Sequence, residues 1–392
     1  MGVELVAKRL EQIKQAGLYR QIRTVDQAAP EILVDGRKAA LFCSNNYLGL
    51  ADHPALKQAS AEAVLMAGSS TAASRLVSGT FSLHHQLEQA IADWKRSESV
   101  LLFNSGYAAN TGVISALAGR GDVVFSDRLN HASIIDGILL SGAKLIRYPH
   151  NDLDTLAQQL ENHTHGAGLK LIVTDGVFSM DGDIAHLPRL AVLAEQYNAL
   201  LMVDDAHAGG VLGEQGRGTG ELLGVADKVT LQVGTLGKAM GSFGAYVTCS
   251  NMIREYLINR SRSFVFSTSL PPAVLAASLA AVKLIQTTEA DLLRNKVSEH
   301  GVQFRRLLQQ QGFLVPDGIT PIIPLVVGSA EITTQFSARL LDEGIFVQGI
   351  RPPTVPRGTS RLRCTVMATH TEQQIESAVS SIVKIGKELG VI

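Results

Sequence analysis

Cysteine is scarce and scattered: Cys43, Cys249 and Cys364 are the only three, and no two form a C-x-x-C pair. That pattern argues against a disulfide framework or a zinc site and fits a reducing compartment. Net charge is nearly absent as well, −1 from 35 basic and 36 acidic residues, so no global field favours nucleic acid or an anionic membrane. Long apolar runs are missing. The most apolar stretch, 270–285, is broken by Pro271 and Pro272 and is too short to span a bilayer. The first residues carry Glu4, Lys8 and Arg9 with no apolar signal segment, and Val6 stands where a myristoylation signal has Ser or Thr. Two nucleotide fingerprints fail. Around Lys238 a P-loop would need glycine at Gln232 and Ser or Thr at Ala239, and the glycine-rich run 213–220 satisfies G-x-G-x-x-G in no register. These absences leave an expectation of a cytoplasmic, enzyme-sized protein.

What is present is a regular alternation. Short β-branched runs at 100–103, 122–125, 144–148, 169–174, 199–203, 229–233 and 245–249 are separated mostly by helix-length segments. Runs of that kind predict βαβ units: an α/β fold with a mostly parallel seven-stranded sheet covered by helices. After Pro272 the pattern changes to a long helical region, shorter strands near 322–327, 346–350 and 361–365, and a last helix beginning at Thr371 with Gln374 in capping-box position. This predicts a smaller α+β domain at 286–392 and a large domain at 51–285. The segment 1–50, with an opening helix striped by Val3, Val6, Leu10 and Ile13, is expected to pack with the small one.

One stretch, Val233-Gly-Thr-Leu-Gly-Lys-Ala-Met-Gly-Ser-Phe-Gly244, holds a single lysine among four glycines. Glycine lets another group or a bound ligand approach the backbone closely. With the P-loop excluded, Lys238 is either an imine-forming amine or a lysine on a glycine-rich surface turn. Ligands of open parallel sheets bind at the carboxyl ends of the strands, so the residues following each strand decide between them. They are Asn104-Ser-Gly-Tyr107 at a helix start, His131, Ser179, Asp204-Asp-Ala-His207, and Thr235 with Lys238. An Asp-Asp-x-His run invites a metal, but no further carboxylate or histidine shares its spacing. His84, His85, His150, His163 and His165 lie in polar surroundings and read as surface. A carboxylate, an imidazole, a helix start and an amine at one sheet edge are together the set that a pyridine aldehyde phosphate requires.

These residues resemble the α-oxoamine synthases, a family of fold type I pyridoxal-phosphate enzymes. The likeness runs through Asn45-Asn-Tyr-Leu-Gly49, Ser74-Arg-Leu-Val-Ser-Gly-Thr80, Phe103-Asn-Ser-Gly-Tyr107, Asp204-Asp-Ala-His207, Thr235-Leu-Gly-Lys-Ala239 and Arg361-Leu-Arg363, nearly the whole chain. The resemblance implies pyridoxal 5'-phosphate bound as an imine to Lys238, with Asp204 on the pyridine nitrogen, His207 on the ring hydroxyl and His131 stacked on the ring. Gly106, Tyr107 and Thr235 would hold the phosphate and Ser179 would add a polar contact. Ser267 and Thr268 would reach a neighbouring subunit, which implies a homodimer with shared sites. Arg363 would take the amino-acid carboxylate with Asn46 nearby. Thr354 and an N-terminal arginine, Arg20 rather than Arg23, would meet an acyl substrate. The segment Ile350-Arg-Pro-Pro-Thr-Val-Pro356 points to the member that joins L-alanine to a pimeloyl thioester in biotin biosynthesis; glycine with acetyl-CoA is the main alternative. The thioester carrier, CoA or acyl-carrier protein, is left open, with Arg254, Arg260 and Arg262 as a basic patch for the latter. A non-catalytic subunit on the same fold is the alternative from another class, and its usual loss of the lysine does not apply here.

Overall fold

The computed structural model describes residues 2–164 and 168–392. They form two compact units. The larger takes Asn45–Ser179 and Asp183–Asn295; the smaller takes the chain up to Ser44, Met180–Gly182 and Lys296–Ile392.

The larger unit is built on seven strands: β1 (Ser99–Phe103), β2 (Val123–Asp127), β3 (Lys144–Tyr148), β4 (Lys170–Asp175), β5 (Leu200–Asp204), β6 (Leu231–Thr235) and β7 (Ala245–Cys249). Their order is β1-β7-β6-β5-β4-β2-β3. β2 to β6 pair in parallel, while β7 pairs antiparallel with both β6 and β1. Both faces are covered, which is why these strands read as continuous apolar runs rather than alternating ones. Leu171, Val173 and Met202 join one core cluster; Ile172, Leu201 and Val203 join another. Helices Gly106–Leu117, Ala132–Ser141, Leu153–Glu161 and Leu187–Gln196 follow β1 to β4 in turn. Three of them are capped by the residue before: Ser105 accepts from Ala108 N–H, His131 from Ser133 N–H and Asp152 from Thr155 N–H. Parallel pairing therefore puts the ends of β2, β4, β5 and β6 (Asp127, Asp175, Asp204 and Thr235) at one edge.

The smaller unit holds a hairpin, Glu31–Val34 with Arg37–Leu41, and an antiparallel sheet of Ile322–Gly328, Ser360–Thr365 and Gln348–Ile350. The strand expected at 346–350 is split. Ile345–Phe346 runs parallel to the hairpin, whereas Gln348–Ile350 pairs with Ser360–Thr365, so the buried Val347 marks a change of sheet. The hairpin itself carries a signal that sequence reading passed over: Asp35 (φ 48°) and Gly36 (φ 81°) are an Asp-Gly pair with both φ positive, the two-residue turn that matches strand twist. The last helix, Glu372–Glu388, buries Ile375, Val379, Ile382 and Ile385 and starts with the reciprocal Thr371–Gln374 capping box. The opening helix Gly2–Gln15 differs from expectation, for it buries no residue and its apolar stripe stays open in the single chain. No single helix among the described residues is long and apolar enough to cross a membrane.

Leu201 has no exposed surface and sits mid-sheet in β5. Leu201→Ala is expected to cost about 2–5 kcal/mol, read as a lower urea midpoint at unchanged slope.

Candidate active site

A cavity of about 180 Å³ opens in the larger unit at the strand ends. Gly106, Tyr107, His131, Ser179, Asp204, His207, Thr235 and Lys238 line it, together with Asn110, Asp175, Val177 and Ala206. Eight residues singled out from sequence thus share one space. Ser267 and Thr268 do not line it. Thr268 instead bridges to Ser74, and its carbonyl accepts from Asn104 Nδ2 at 2.7 Å.

Lys238 follows β6 and points its amine at His207, with Nζ 2.8 Å from Nε2. On the other side of that ring, Nδ1 lies 2.7 Å from the Tyr47 hydroxyl. Tyr47 is fully buried and donates to Asn45 Oδ1 at 3.1 Å. A hydroxyl has one proton, so Tyr47 accepts from His207 Nδ1–H. The imidazole then presents the lone pair of Nε2 to Lys238. Tyr47 stands inside the quoted Asn45–Gly49 motif but was not singled out, because its partner lies 160 residues away.

Asp204, 7% exposed at the end of β5, accepts from Asn110 Nδ2 at 2.7 Å and from Ala206 N–H at 3.0 Å. Asn110 also donates to Ser133 Oγ at 2.9 Å, linking the helix after β1 to the helix after β2. Asp175 is Asp204's partner across the β4–β5 register. Burial first, and then the charge of Asp204, push its pKa well above the ordinary carboxylate range. Asp175 is therefore pushed toward its protonated form, whereas Asp204 is engaged by donors. Sequence reading named neither Asn110 nor Asp175 as a site residue, although Asp175 ends a strand just as Asp204 does. His131 caps its helix through Nδ1. Desolvation lowers its pKa; Asp204 opposes this and Lys238 assists it, so the ring is neutral near pH 7.

The four glycines around Lys238 divide differently from the expectation that they admit a ligand. A Cβ on Gly234 would lie 2.2 Å from the Tyr246 ring, and one on Gly241 (φ +62°) would lie 2.3 Å from the Ala51 backbone nitrogen. Gly244 has φ +101°. These three serve packing and backbone shape. Only at Gly237 would a Cβ meet ordinary contacts, the nearest at 3.6 Å.

Of the remaining expected residues, Asn46 belongs to the larger unit and accepts from Ala51 N–H at 3.2 Å. Arg363, Arg20 and Thr354 belong to the smaller. There Arg20 Nη2 donates to Thr354 Oγ1 at 3.2 Å, while Arg23 is taken up by Asp35 at 2.8 Å. Arg351 holds the same N-terminal segment through the carbonyls of Gly17 and Tyr19. Arg254 is no open basic patch, for it donates to Val100 O and pairs with the buried Glu88. Two surface assignments are also corrected. His84 is 1% exposed and caps Phe81 N–H, and burial lowers its pKa to about 3. His150 is half-buried between carboxylates. His165 lies outside the described residues. Burial raises the thiols of Cys43, Cys249 and Cys364 to about 12, 11 and 12, which removes them as nucleophiles.

A family model, aminotransferase class I and II, matches residues 37–382, and the chain belongs to that family. Within it the similarity is to proteins named 8-amino-7-oxononanoate synthase. One from Trichlorobacter lovleyi is 64% identical over 100% of both chains, and one from Geobacter sulfurreducens is 58% identical over 99% of each. Among solved structures, a serine palmitoyltransferase from S. paucimobilis with a bound PLP–myriocin aldimine superposes with TM-score 0.93 at 31% identity, covering 99% of this chain and 98% of that one. The 8-amino-7-oxononanoate synthase from Francisella tularensis gives TM-score 0.77 at 31% identity, covering 89% and 98%.

Gly234→Ala and Gly241→Ala are each expected to destabilise the chain by about 1–3 kcal/mol, while Gly237→Ala changes stability by less than about 0.5 kcal/mol. Thermal melting of the three variants checks the division; equal losses at all three would contradict it.

Proposed function

We propose that this chain condenses L-alanine with a pimeloyl thioester to give 8-amino-7-oxononanoate, CO2 and the free thiol, in biotin biosynthesis, using pyridoxal 5'-phosphate. One observation carries this reading: the Lys238 amine, the Asp204 carboxylate and two imidazoles line one cavity in a chain 64% identical, end to end, to a protein of that name. The donor set suits the cofactor. Lys238 is an amine for its aldehyde, Asp204 an anion already gripped by two donors, and the helix start at Gly106 faces open space, with nothing within 4 Å of an added Cβ. When bound, pyridoxal phosphate supplies an aldehyde that takes up an amine and a ring that accepts the electrons released at the amino acid's Cα.

The residues then divide the work. Lys238 Nζ would remove the Cα proton of alanine and later return it. His207 Nε2, held as an acceptor by Tyr47, receives the hydrogen bond of that amine while it waits. Asp204 would pair with the ring nitrogen and favour its protonated form, and neutral His131 would pack against the ring. The N–H groups at Gly106 and Tyr107, with Thr235, would hold the phosphate at a helix N-terminus, and Ser179 would add a hydroxyl. Arg363 grips the amino-acid carboxylate as a planar fork, with Asn46 beside it. Arg20 and Thr354, already joined to each other, meet the acyl chain. Ser267 and Thr268 act on a second copy's phosphate. The absence of both from their own chain's cavity supports a homodimer, as do the exposed Leu65, Met66, Val77 and Phe266, each more than 70% open in the single chain. The three free, raised-pKa thiols support a cytoplasmic setting.

Lys238→Ala is expected to lose turnover at least about a thousandfold, together with the near-visible absorbance that the cofactor gains on binding this lysine. Purified wild type given L-alanine with pimeloyl-CoA or the pimeloyl carrier-protein thioester should release thiol and CO2 in equal amounts. Preference for glycine with acetyl-CoA would sink the substrate assignment. Light scattering is expected to give twice the chain mass of 41.8 kDa; a monomer active at the same concentration would refute the shared sites.

A further inference from the structure

His150 lies outside the cavity, and the reaction above makes no use of it. It follows β3 in a turn and stands between two carboxylates. Nδ1 is 3.1 Å from Asp127 Oδ1 and 3.3 Å from Oδ2; Nε2 is 2.8 Å from Asp183 Oδ2. A ring with a carboxylate on each nitrogen carries a proton on each, because neutral imidazole has only one N–H. His150 is therefore an imidazolium.

Its two partners belong to different loops of the site. Asp127, 1% exposed at the end of β2, also accepts from Leu129 N–H and from Asn151 N–H, both at 2.8 Å. Four residues beyond it, His131 lines the cavity. Asp183 lies in a small hairpin closed by the Val177–Ile184 bridge and by Phe178 N–H donating to the Asp183 carbonyl at 3.0 Å. That hairpin presents Val177 and Ser179 to the cavity. Phe178 packs edge-on against the His150 ring at 4.4 Å, which fixes the ring's plane. Asn151 Nδ2 adds a bond to Asp183 at 3.1 Å. The other Asp183 oxygen, Oδ1, is buried and finds no partner among the described residues, so His150 supplies the main counter-charge there.

We propose that His150 is a positioning residue for the candidate active site: as an imidazolium between Asp127 and Asp183, it ties the loop presenting His131 to the hairpin presenting Ser179. This rests on the reading of the cavity as a pyridoxal phosphate site. Burial opposes the charge, yet the hydrogen bonds of Asp127 and Asp183 outweigh it and push the His150 pKa up to about 10. The charged groups facing it are Asp127 from β2 and Asp183 from the hairpin. Tyr148 and Asp175, both near Asp127, are held toward their neutral forms by burial. With a folded-state value above the ordinary 6.5, the clamp contributes fully below about pH 6.5 and is lost as pH rises through about 10.

The test uses the full chain with and without pyridoxal phosphate. In the cofactor-free wild type, the His150 ring signal, assigned by its loss in His150→Phe, should titrate near 10. Titration near 6.5 overturns the proposal. Spectroscopic titration then measures the cofactor's dissociation constant. At pH 7.5, His150→Phe is expected to weaken it about tenfold, and His150→Lys, which restores a cation, to recover most of the loss. The ratio of variant to wild type should close as pH passes about 10, because the wild type has then lost its own clamp. A folded His150→Phe with wild-type affinity and pH profile overturns the assignment. If that variant does not fold, Asp183→Asn decides instead. It removes one anion, so the loss of affinity should begin at lower pH, and a profile superposing on wild type refutes the clamp. A wild type whose His150 titrates near 10 but which takes up no pyridoxal phosphate sinks the cofactor reading and leaves the His150 ion cluster standing.

Discussion

Two carboxylates one strand apart set the terms for the larger unit. Parallel pairing of β4 with β5 brings Asp175 beside Asp204 at the carboxyl end of the sheet, both buried. Like charges so placed cannot both ionise without a large electrostatic cost. The structure settles the conflict by unequal surroundings. Asp175 is buried and pushed toward its protonated form; Asp204 receives an amide from Asn110 and a backbone N–H. Asn110 reaches Asp204 from the helix after β1, whose N-cap is Ser105, so a helix cap, a strand register and a side-chain amide meet at one carboxylate.

From that edge outward the groups are coupled through hydrogen bonds rather than through apolar packing. Tyr47 orients His207, and His207 orients the amine of Lys238. Asn130 holds the loop after β2 against β4, donating to Val173 O and accepting from Asp175 N–H. Each loop that lines the cavity is also tied to a neighbouring one. Such ties suit chemistry that depends on placing an amine and a flat ring to within fractions of an ångström.

Much of the fold was legible because its signals are local. The seven apolar runs and their intervening helices follow from periodicity, and the Thr371–Gln374 cap from two residues three apart. Elements that escaped notice fall into two kinds. The Asp35-Gly36 hairpin carried a clear turn signal in a stretch with weak alternation. The split at Val347 carried none, because which sheet a two-residue strand joins depends on partners at Leu41 and Arg363, far away in sequence. His84 and His150 read as surface because their neighbours are polar. The carboxylates that enclose His150, Asp127 and Asp183, become visible only when the loops fold together, whereas the cap that His84 places on Phe81 N–H lies three residues away in sequence.

The sequence by itself determined a mostly parallel seven-stranded sheet and the residue types gathered at its strand ends, since strand period and helix length are short-range properties of the chain; the antiparallel run of β7 was decided by the structure. It also determined that Lys238 sits in a segment needing little bulk. Only the tertiary structure decided why: Gly234 clears the Tyr246 ring and Gly241 clears the backbone at Ala51, so the glycines chiefly make room for protein. It likewise decided which tautomer faces the amine and which of two adjacent aspartates is pushed toward its protonated form. Those outcomes depend on partners up to 160 residues away, and burial and hydrogen-bond geometry at such separations are not written in any local pattern.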